Sequence, residues 1–168
     1  VDGAEVQTAS AKISWLPNTT YKLDGTVRYT NAAADIDGFG GAGGDDLNNT
    51  ARAKQLLTGV SGSNRFFDNQ LKSTIGFYYS EVDRSSRNLP DAVNVTDSSD
   101  KFLSENKKIQ YDNELTLGEY HTLRVGLQWR EESGLSNSNL NGVDTSNARR
   151  EQTMAGESLT YLFESQTW

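Results

Sequence analysis

The stretch Lys107 to Glu132, KKIQYDNELTLGEYHTLRVGLQWREE, constrains the fold most. Ile109, Tyr111, Asn113, Leu115 and Leu117 alternate with Gln110, Asp112, Glu114 and Thr116. After a break at Gly118-Glu119-Tyr120-His121 the alternation resumes, with Leu123, Val125, Leu127 and Trp129 against Thr122, Arg124, Gly126, Gln128 and Arg130. Successive side chains of a strand point to opposite faces, so a period of two means β-structure. The stretch therefore predicts two strands of about ten residues joined by a tight turn, one face apolar and the other charged. The alternation does not say whether a soluble core or lipid covers the apolar face.

The same period recurs along the chain. Glu5 to Trp15 sets Ala9, Ala11, Ile13 and Trp15 against Ser10, Lys12 and Ser14, and a Pro17-Asn18 turn follows. Tyr21 to Thr30 sets Tyr21, Leu23, Val27 and Tyr29 against Lys22, Asp24, Thr26, Arg28 and Thr30. Thr50 to Gly59 is a weak strand whose Gln55-Leu56-Leu57 also fits a helix. Ser61 to Asn69 is expected to be a turn. Gln70 to Val82 and Glu151 to Phe163 are strands. Connections near 16–20, 61–69 and 118–121 are short. Those at 31–49, 83–105 and 132–150 are long, polar and expected to be loops. In an up-and-down meander alternate connections share an end, so the short turns line one rim and the long loops the other. Outer-membrane barrels have this asymmetry, whereas structureless loops of such length are uncommon in compact soluble domains.

Composition agrees with a sheet that is wet on one side. Of 168 residues only 35% are hydrophobic, and 23 Asp and Glu outweigh 16 Lys and Arg for a net charge of -7. Mean hydropathy is -0.67. No run approaches the roughly 18 apolar residues of a membrane helix, while a membrane strand needs lipophilicity only at every second residue. The acidity argues against nucleic acid as a partner. The absence of cysteine removes disulfides and thiolate metal sites. Trp15, Tyr21, Phe67 and Tyr120 fall near the short turns, and Tyr29, Tyr79, Tyr111 and Trp129 near the long-loop ends, as two interfacial girdles would require. Lys12, Lys22, Asp24, Arg28, Lys72, Asp112, Glu114, Arg124 and Arg130 all fall on the other face. Burying them in a soluble core would carry a large desolvation penalty, but a lumen accommodates them.

At this level the chain resembles a mid-barrel portion of TonB-dependent outer-membrane receptors, near the cobalamin-transporter-like branch. The resemblance rests on the order of KISWLP, VRYT leading into DIDGFGGAGGDDLNN, YYSEVDRSSRNLPDA and HTLRVGLQWREESG. It implies an all-β, antiparallel up-and-down transmembrane barrel of 22 strands closed around a plug, of which about seven strands are present. It also implies a bacterial outer-membrane location, energy from the TonB system and uptake of a scarce ligand. Cobalamin, an iron siderophore, haem and oligosaccharide remain open as that ligand. The chain departs from the family in its odd strand count and in showing no plug domain. Its ending, Glu164 to Trp168, lacks the alternate apolar residues of a closing strand, so the chain is expected to be part of a longer protein.

Candidate sites follow from the loops. Asp35, Asp37, Asp45 and Asp46 flank a glycine run, and carboxylates gathered by a mobile backbone suit calcium, which takes six to eight oxygens in loose geometry. In the resembled branch the corresponding loop binds calcium, and Asp35 and Asp37 fall near that position; the alternative is a solvated acidic loop. Arg84, Arg87 and Asp91 are candidates for ligand contact or for ordinary surface charge. The lone His121, at a short turn, does not support a histidine metal site or a catalytic triad, and the chain is not expected to be an enzyme. Two further possibilities are a small complete outer-membrane barrel, porin-like or an adhesin, and a soluble all-β binding domain.

Overall fold

A computed structural model describes residues 3–38, 46–91 and 95–163, and they form a single antiparallel sheet. Its strands are β1 (Ala4–Trp15), β2 (Tyr21–Gly38), β3 (Asp46–Phe66), β4 (Leu71–Asn88), β5 (Ser98–Leu117), β6 (His121–Leu140) and β7 (Val143–Phe163). They lie side by side in chain order, each paired with the next. β1 and β7 are the two edges and do not touch each other. The ending at 164–168 lies outside the described residues.

The register extends the sequence alternation across the whole sheet. Lys12 stands level with Thr26, Gly59, Tyr78, Lys108 and Arg130. One residue along, Ile13 is level with Gly25, Val60, Phe77, Ile109 and Trp129. Directly opposed residues of an antiparallel pair share a face, so one face is polar and the other apolar through the belt that follows the short turns. Among the described residues no hydrophobic side chain is buried. A single sheet layer has no core of its own, so whatever covers its apolar face must come from outside these strands.

The long connections depart from the sequence expectation. Asn31 to Gly38 continues β2 and pairs with the start of β3, with a bulge between Ile36 and Gly38. Asp83 to Asn88 pairs with Ser98 to Leu103, and Glu132 to Leu140 pairs with Val143 to Gln152, with a bulge between Ser138 and Asn139. Most of the 31–49, 83–105 and 132–150 segments is therefore paired strand. Most of its positions are polar or small, and its few large apolar residues fall on both faces, Phe102 on one and Leu103 on the other, so the period of two that betrays a half-buried strand is missing. Side-chain bonds hold these extensions instead. Ser86 and Ser138 both donate to the Asp100 carboxylate, at 3.4 and 2.5 Å. The Asn141 amide donates to the Asp97 carbonyl at 2.7 Å, and the Asp97 amide returns a bond of 2.9 Å to the Asn141 side chain.

Two turns also differ from expectation. Ser61 to Phe66 completes β3, and the turn is made by Phe67, Asp68 and Asn69, all with positive φ. β6 and β7 are joined by only Asn141 and Gly142, at φ 53° and 80°. Positive φ at both central residues is the geometry that matches the twist of a two-residue hairpin, and Asn-Gly is its strongest sequence signal. The signal was present inside a segment read as a loop.

Candidate lipid and ligand surfaces

The apolar face forms a belt that covers only part of each strand. Its lower edge, toward the short turns, runs through Trp15, Tyr21, Phe66, Leu71, Leu117, His121 and Phe163. Its upper edge runs through Ala9, Tyr29, Leu56, Tyr79, Ile109 and Trp129. Tyr111 stands level with Leu127, one pair inside the upper edge rather than on it. At the lower rim the His121 ring stacks on Tyr161 with Nδ1 2.6 Å from the phenol oxygen, and lies 5.2 Å from Phe163. Within the belt the polar pair Ser73 and Asn113 is closed on itself, the hydroxyl donating to the amide oxygen at 2.6 Å. Self-satisfaction is what polar groups require where no water competes.

The belt crosses the sheet obliquely. Trp15 is level with Leu23, Gly62, Ile75, Tyr111 and Leu127, yet the lower edge on β6 is His121, six residues beyond Leu127. Ala9 is level with Tyr29, Leu56, Glu81, Glu105 and Ser133, yet the upper edge on β6 is Trp129, four residues below Ser133. Over five strand-to-strand steps this drift is about 0.8 to 1.2 residues per strand. With about 3.3 Å per residue and about 4.8 Å between strands, it corresponds to a tilt of roughly 30–40° from the normal of the belt. Barrel strands tilt by about 35–45°. The span Leu71 to Tyr79 then stands roughly 22 Å tall, close to the apolar band of about 25 Å on an outer-membrane barrel. The same descent brings Glu157, level with Leu127 on β7, to the upper rim of the belt.

The polar face carries the charges. Glu114 and Arg124 stand directly opposite each other and pair at 2.8 Å. Lys22 and Ser14 both bond Asp24, at 2.8 and 2.5 Å. Gln110 donates to Asp112 at 2.8 Å, and Arg130 pairs with Glu132. Asp112, Glu114, Arg124 and Arg130 thus share one face, with Asp112 level with Gly126 between the pair and the arginine. Tyr78 lies flat on the same face. A Cβ at Gly76 would meet its ring at 2.6–2.8 Å and one at Gly59 would meet it at 2.9 Å, so both glycines make room for it. The Lys108 ammonium sits 4.5 Å above the Tyr78 ring.

The other candidate residues are not gathered into one place. Arg84 is on the polar face, level with Ala53 and Phe102, beside a shallow hollow of about 370 Å³ lined by Val6, Ala32, Ala34 and Ala51. Arg87 is on the opposite face and pairs with Asp97 at 3.5 Å. Asp91 accepts a bond of 3.2 Å from the Asn48 side chain. Asp35 is on the face of Arg87, and its amide donates to the Gly3 carbonyl at 2.8 Å. Asp45 lies outside the described residues, as do the side chains of Asp37 and Asp46. Among the described residues no three His, Asp or Glu side chains stand together as a metal site.

No protein-family model matches the chain, and no curated protein is similar to it in sequence. Solved structures are. The chain is similar to the ferric yersiniabactin uptake receptor FyuA from Yersinia pestis at a TM-score of 0.56 and 10% identity, over 94% of this chain and 24% of that one. It is similar to the ferric citrate transporter FecA in its unliganded form at a TM-score of 0.61 and 15% identity, over 95% and 26%. It is similar to the ferric-catecholate import receptor Fiu from E. coli K12 in its closed form at a TM-score of 0.56 and 11% identity, over 95% and 30%. The chain therefore spans about a quarter to a third of the length of these proteins. At these identities the likeness is one of fold: seven antiparallel, up-and-down strands with the arrangement of a section of barrel wall in TonB-dependent receptors.

Proposed function

We propose that this chain is barrel wall and extracellular hairpin of a TonB-dependent receptor in a bacterial outer membrane, with no enzymatic role of its own. The observation that carries the proposal is the oblique belt. A strip of barrel-like height and tilt, rimmed by aromatic residues and backed by a charged face, is what a lipid-exposed wall requires. In this reading the belt meets lipid, and the short turns face the periplasm. The paired extensions of β2 to β7 stand outside the cell. Asp112, Glu114, Arg124 and Arg130 look into the lumen, where a plug domain elsewhere in the protein would sit and couple to TonB. The ligand is a scarce small molecule. Ferric chelates named for the three similar structures favour a metal chelate over the cobalamin that the sequence resemblance implied.

The test is uptake by whole cells. A strain lacking its other iron receptors and expressing the intact protein is expected to accumulate radio-iron from a chelate, and to stop when TonB is deleted. Recovery of the folded protein from the soluble fraction, or uptake indifferent to TonB, would sink the proposal.

A further inference from the structure

The face that carries the apolar belt changes chemistry above it. A hollow of about 440 Å³ lies there, with Arg52, Arg87 and Lys101 around the hydroxyls of Thr50, Ser85 and Ser99. The register builds it as a grid. Arg52 on β3 and Lys101 on β5 stand level with Ser85 on β4 between them, and Thr50 and Ser99 flank Arg87 in the same way two residues further out. At about 4.8 Å per strand the backbones of Arg52 and Lys101 are roughly 10 Å apart, so a short serine floor lies between two long cationic walls. The carboxylates nearby are turned away or engaged. Asp100, in the wall of the hollow, belongs to the polar face, where Ser86 and Ser138 hold it. Asp35, level with Thr50, leans toward Gly3, its Oδ2 3.3 Å from where a Cβ there would stand. Glu5 accepts a bond of 2.6 Å from Gln7. Asp97 pairs with Arg87 at 3.5 Å, and Asp83 stands opposite Lys54, one step nearer the belt. Arg52 and Lys101 are exposed, and neither has an ion-pair partner among the described residues.

We infer that this hollow grips a phosphate borne on the saccharide of a glycolipid in the surrounding outer leaflet. The inference rests on the reading that the belt meets lipid, and it concerns the lipid neighbour of the wall rather than the cargo of the lumen. Height selects the occupant. Leu56 and Tyr79 mark the upper edge of the belt; Arg52 lies four residues beyond the first and Ser85 six beyond the second. At about 3.3 Å per residue and the tilt of the strands, they stand roughly 11 and 16 Å above the belt. Phospholipid headgroups fill only about 5–8 Å on each side of the hydrocarbon. A lipid group that reaches the hollow must therefore be carried on a sugar chain. Closer to the belt the same face repels anions, because Glu81 and Glu105 stand directly opposite each other two residues beyond Tyr79. Guanidinium and ammonium groups on either side of a hydroxyl floor supply charge-assisted hydrogen bonds to an oxyanion that accepts from several directions, as phosphate does. Asn137 borders the hollow and Asn147 lies level with it on the same face, amides suited to sugar hydroxyls.

The experiment uses the intact protein, purified in detergent and freed of lipid, with native mass spectrometry to count bound glycolipid. The probes are a lipopolysaccharide with phosphorylated inner sugars, the same molecule lacking those phosphates, its lipid anchor without the sugars, and phosphatidylglycerol. The phosphorylated form is expected to bind at least about tenfold more tightly than the other three, and less tightly as salt rises. Arg52→Gln and Lys101→Gln are each expected to weaken it about fivefold, and the double variant about 25-fold. Lys12→Gln, on the opposite face and within the height of the belt, is the control and should change nothing. Equal binding of the form without sugar phosphates, of the bare anchor or of phosphatidylglycerol overturns the inference, as does affinity indifferent to both substitutions. Inorganic phosphate that displaces the glycolipid at matching affinity would make the hollow a site for free anions, and that also overturns it. These failures in a protein that still lies in the outer membrane and still takes up its ligand through TonB leave the proposed function standing; recovery from the soluble fraction removes that function separately.

Discussion

At the residue scale, the two faces impose opposite rules on adjacent positions. Val125 lies mid-height on the belt, and Arg124 beside it points the other way into an exposed pair with Glu114. Val125→Arg is expected to lower barrel stability by about 2–4 kcal/mol, the penalty for a cation at mid-membrane on a lipid face. Arg124→Gln should stay within about 1 kcal/mol, since exposed ion pairs contribute little. Urea unfolding in lipid vesicles measures both. Gly76 follows a different rule, because the Tyr78 hydroxyl stands 2.6 Å from where its Cβ would be. Gly76→Ala is expected to displace the ring and cost about 1–3 kcal/mol. That cost should vanish in a Tyr78→Ala background, and a double-mutant cycle reads the coupling directly. For the acidic loop, calcium titration of the intact protein is expected to increase protease resistance at 31–49. The effect should be absent in a variant with Asp35, Asp37, Asp45 and Asp46 all changed to Ala; identical behaviour of the two proteins removes calcium from the account.

At the scale of the element, the proposed function makes each of β2 to β7 a membrane strand continued into water. The belt half was legible in the sequence because an apolar face backed by a polar one forces a period of two, as Tyr21 to Thr30 displays. The outer half was not, because water on both sides leaves no period to read. Asn137 stands level with Lys101 and Asn147, and Ser138 with Asp100 and Ser146, polar on either face. Register and side-chain bonds specify this half, and neither is visible in a hydropathy pattern. β3 was obscured for another reason. Leu56 faces the belt and Leu57 the polar face, so the adjacent leucines broke the alternation. The pairing has a measurable consequence. Amides of Asp100 to Glu105 and Gly134 to Leu140 should exchange with deuterium at least about tenfold more slowly than those of Leu89 and Val95, which lie outside the paired strands, because ladder hydrogen bonds must open first. Equal exchange rates would return these segments to plain loops.

At the scale of the whole molecule, the sheet shows why site residues were harder to read than fold. The calcium and ligand candidates come from the loops, where charge is conspicuous, and the structure places Arg84 and Arg87 on opposite faces, whereas Asp112, Glu114, Arg124 and Arg130, taken from the strands, share one face. The cationic hollow above the belt draws Arg52 from β3, Arg87 from β4 and Lys101 from β5, strands whose level is set by register. Only the pairing reveals them as neighbours. The missing core makes a further demand. With no hydrophobic side chain buried among the described residues, residues 1–168 alone are expected to give no cooperative unfolding transition in aqueous buffer. They should gain β-structure only in detergent or beside the rest of a barrel, as circular dichroism would show. A cooperative soluble monomer would contradict the open sheet.

Every strand touches only the strands before and after it in sequence. Energetically such a wall is close to a linear array, its stability a sum of strand terms and nearest-neighbour seams, as in solenoid repeats. Damage at one seam should therefore stay local, and a hairpin could be inserted or removed without rewriting distant pairings. The circumference of a wall built this way, and with it the size of what can pass inside, can change by whole hairpins while the chemistry of each remaining seam is preserved.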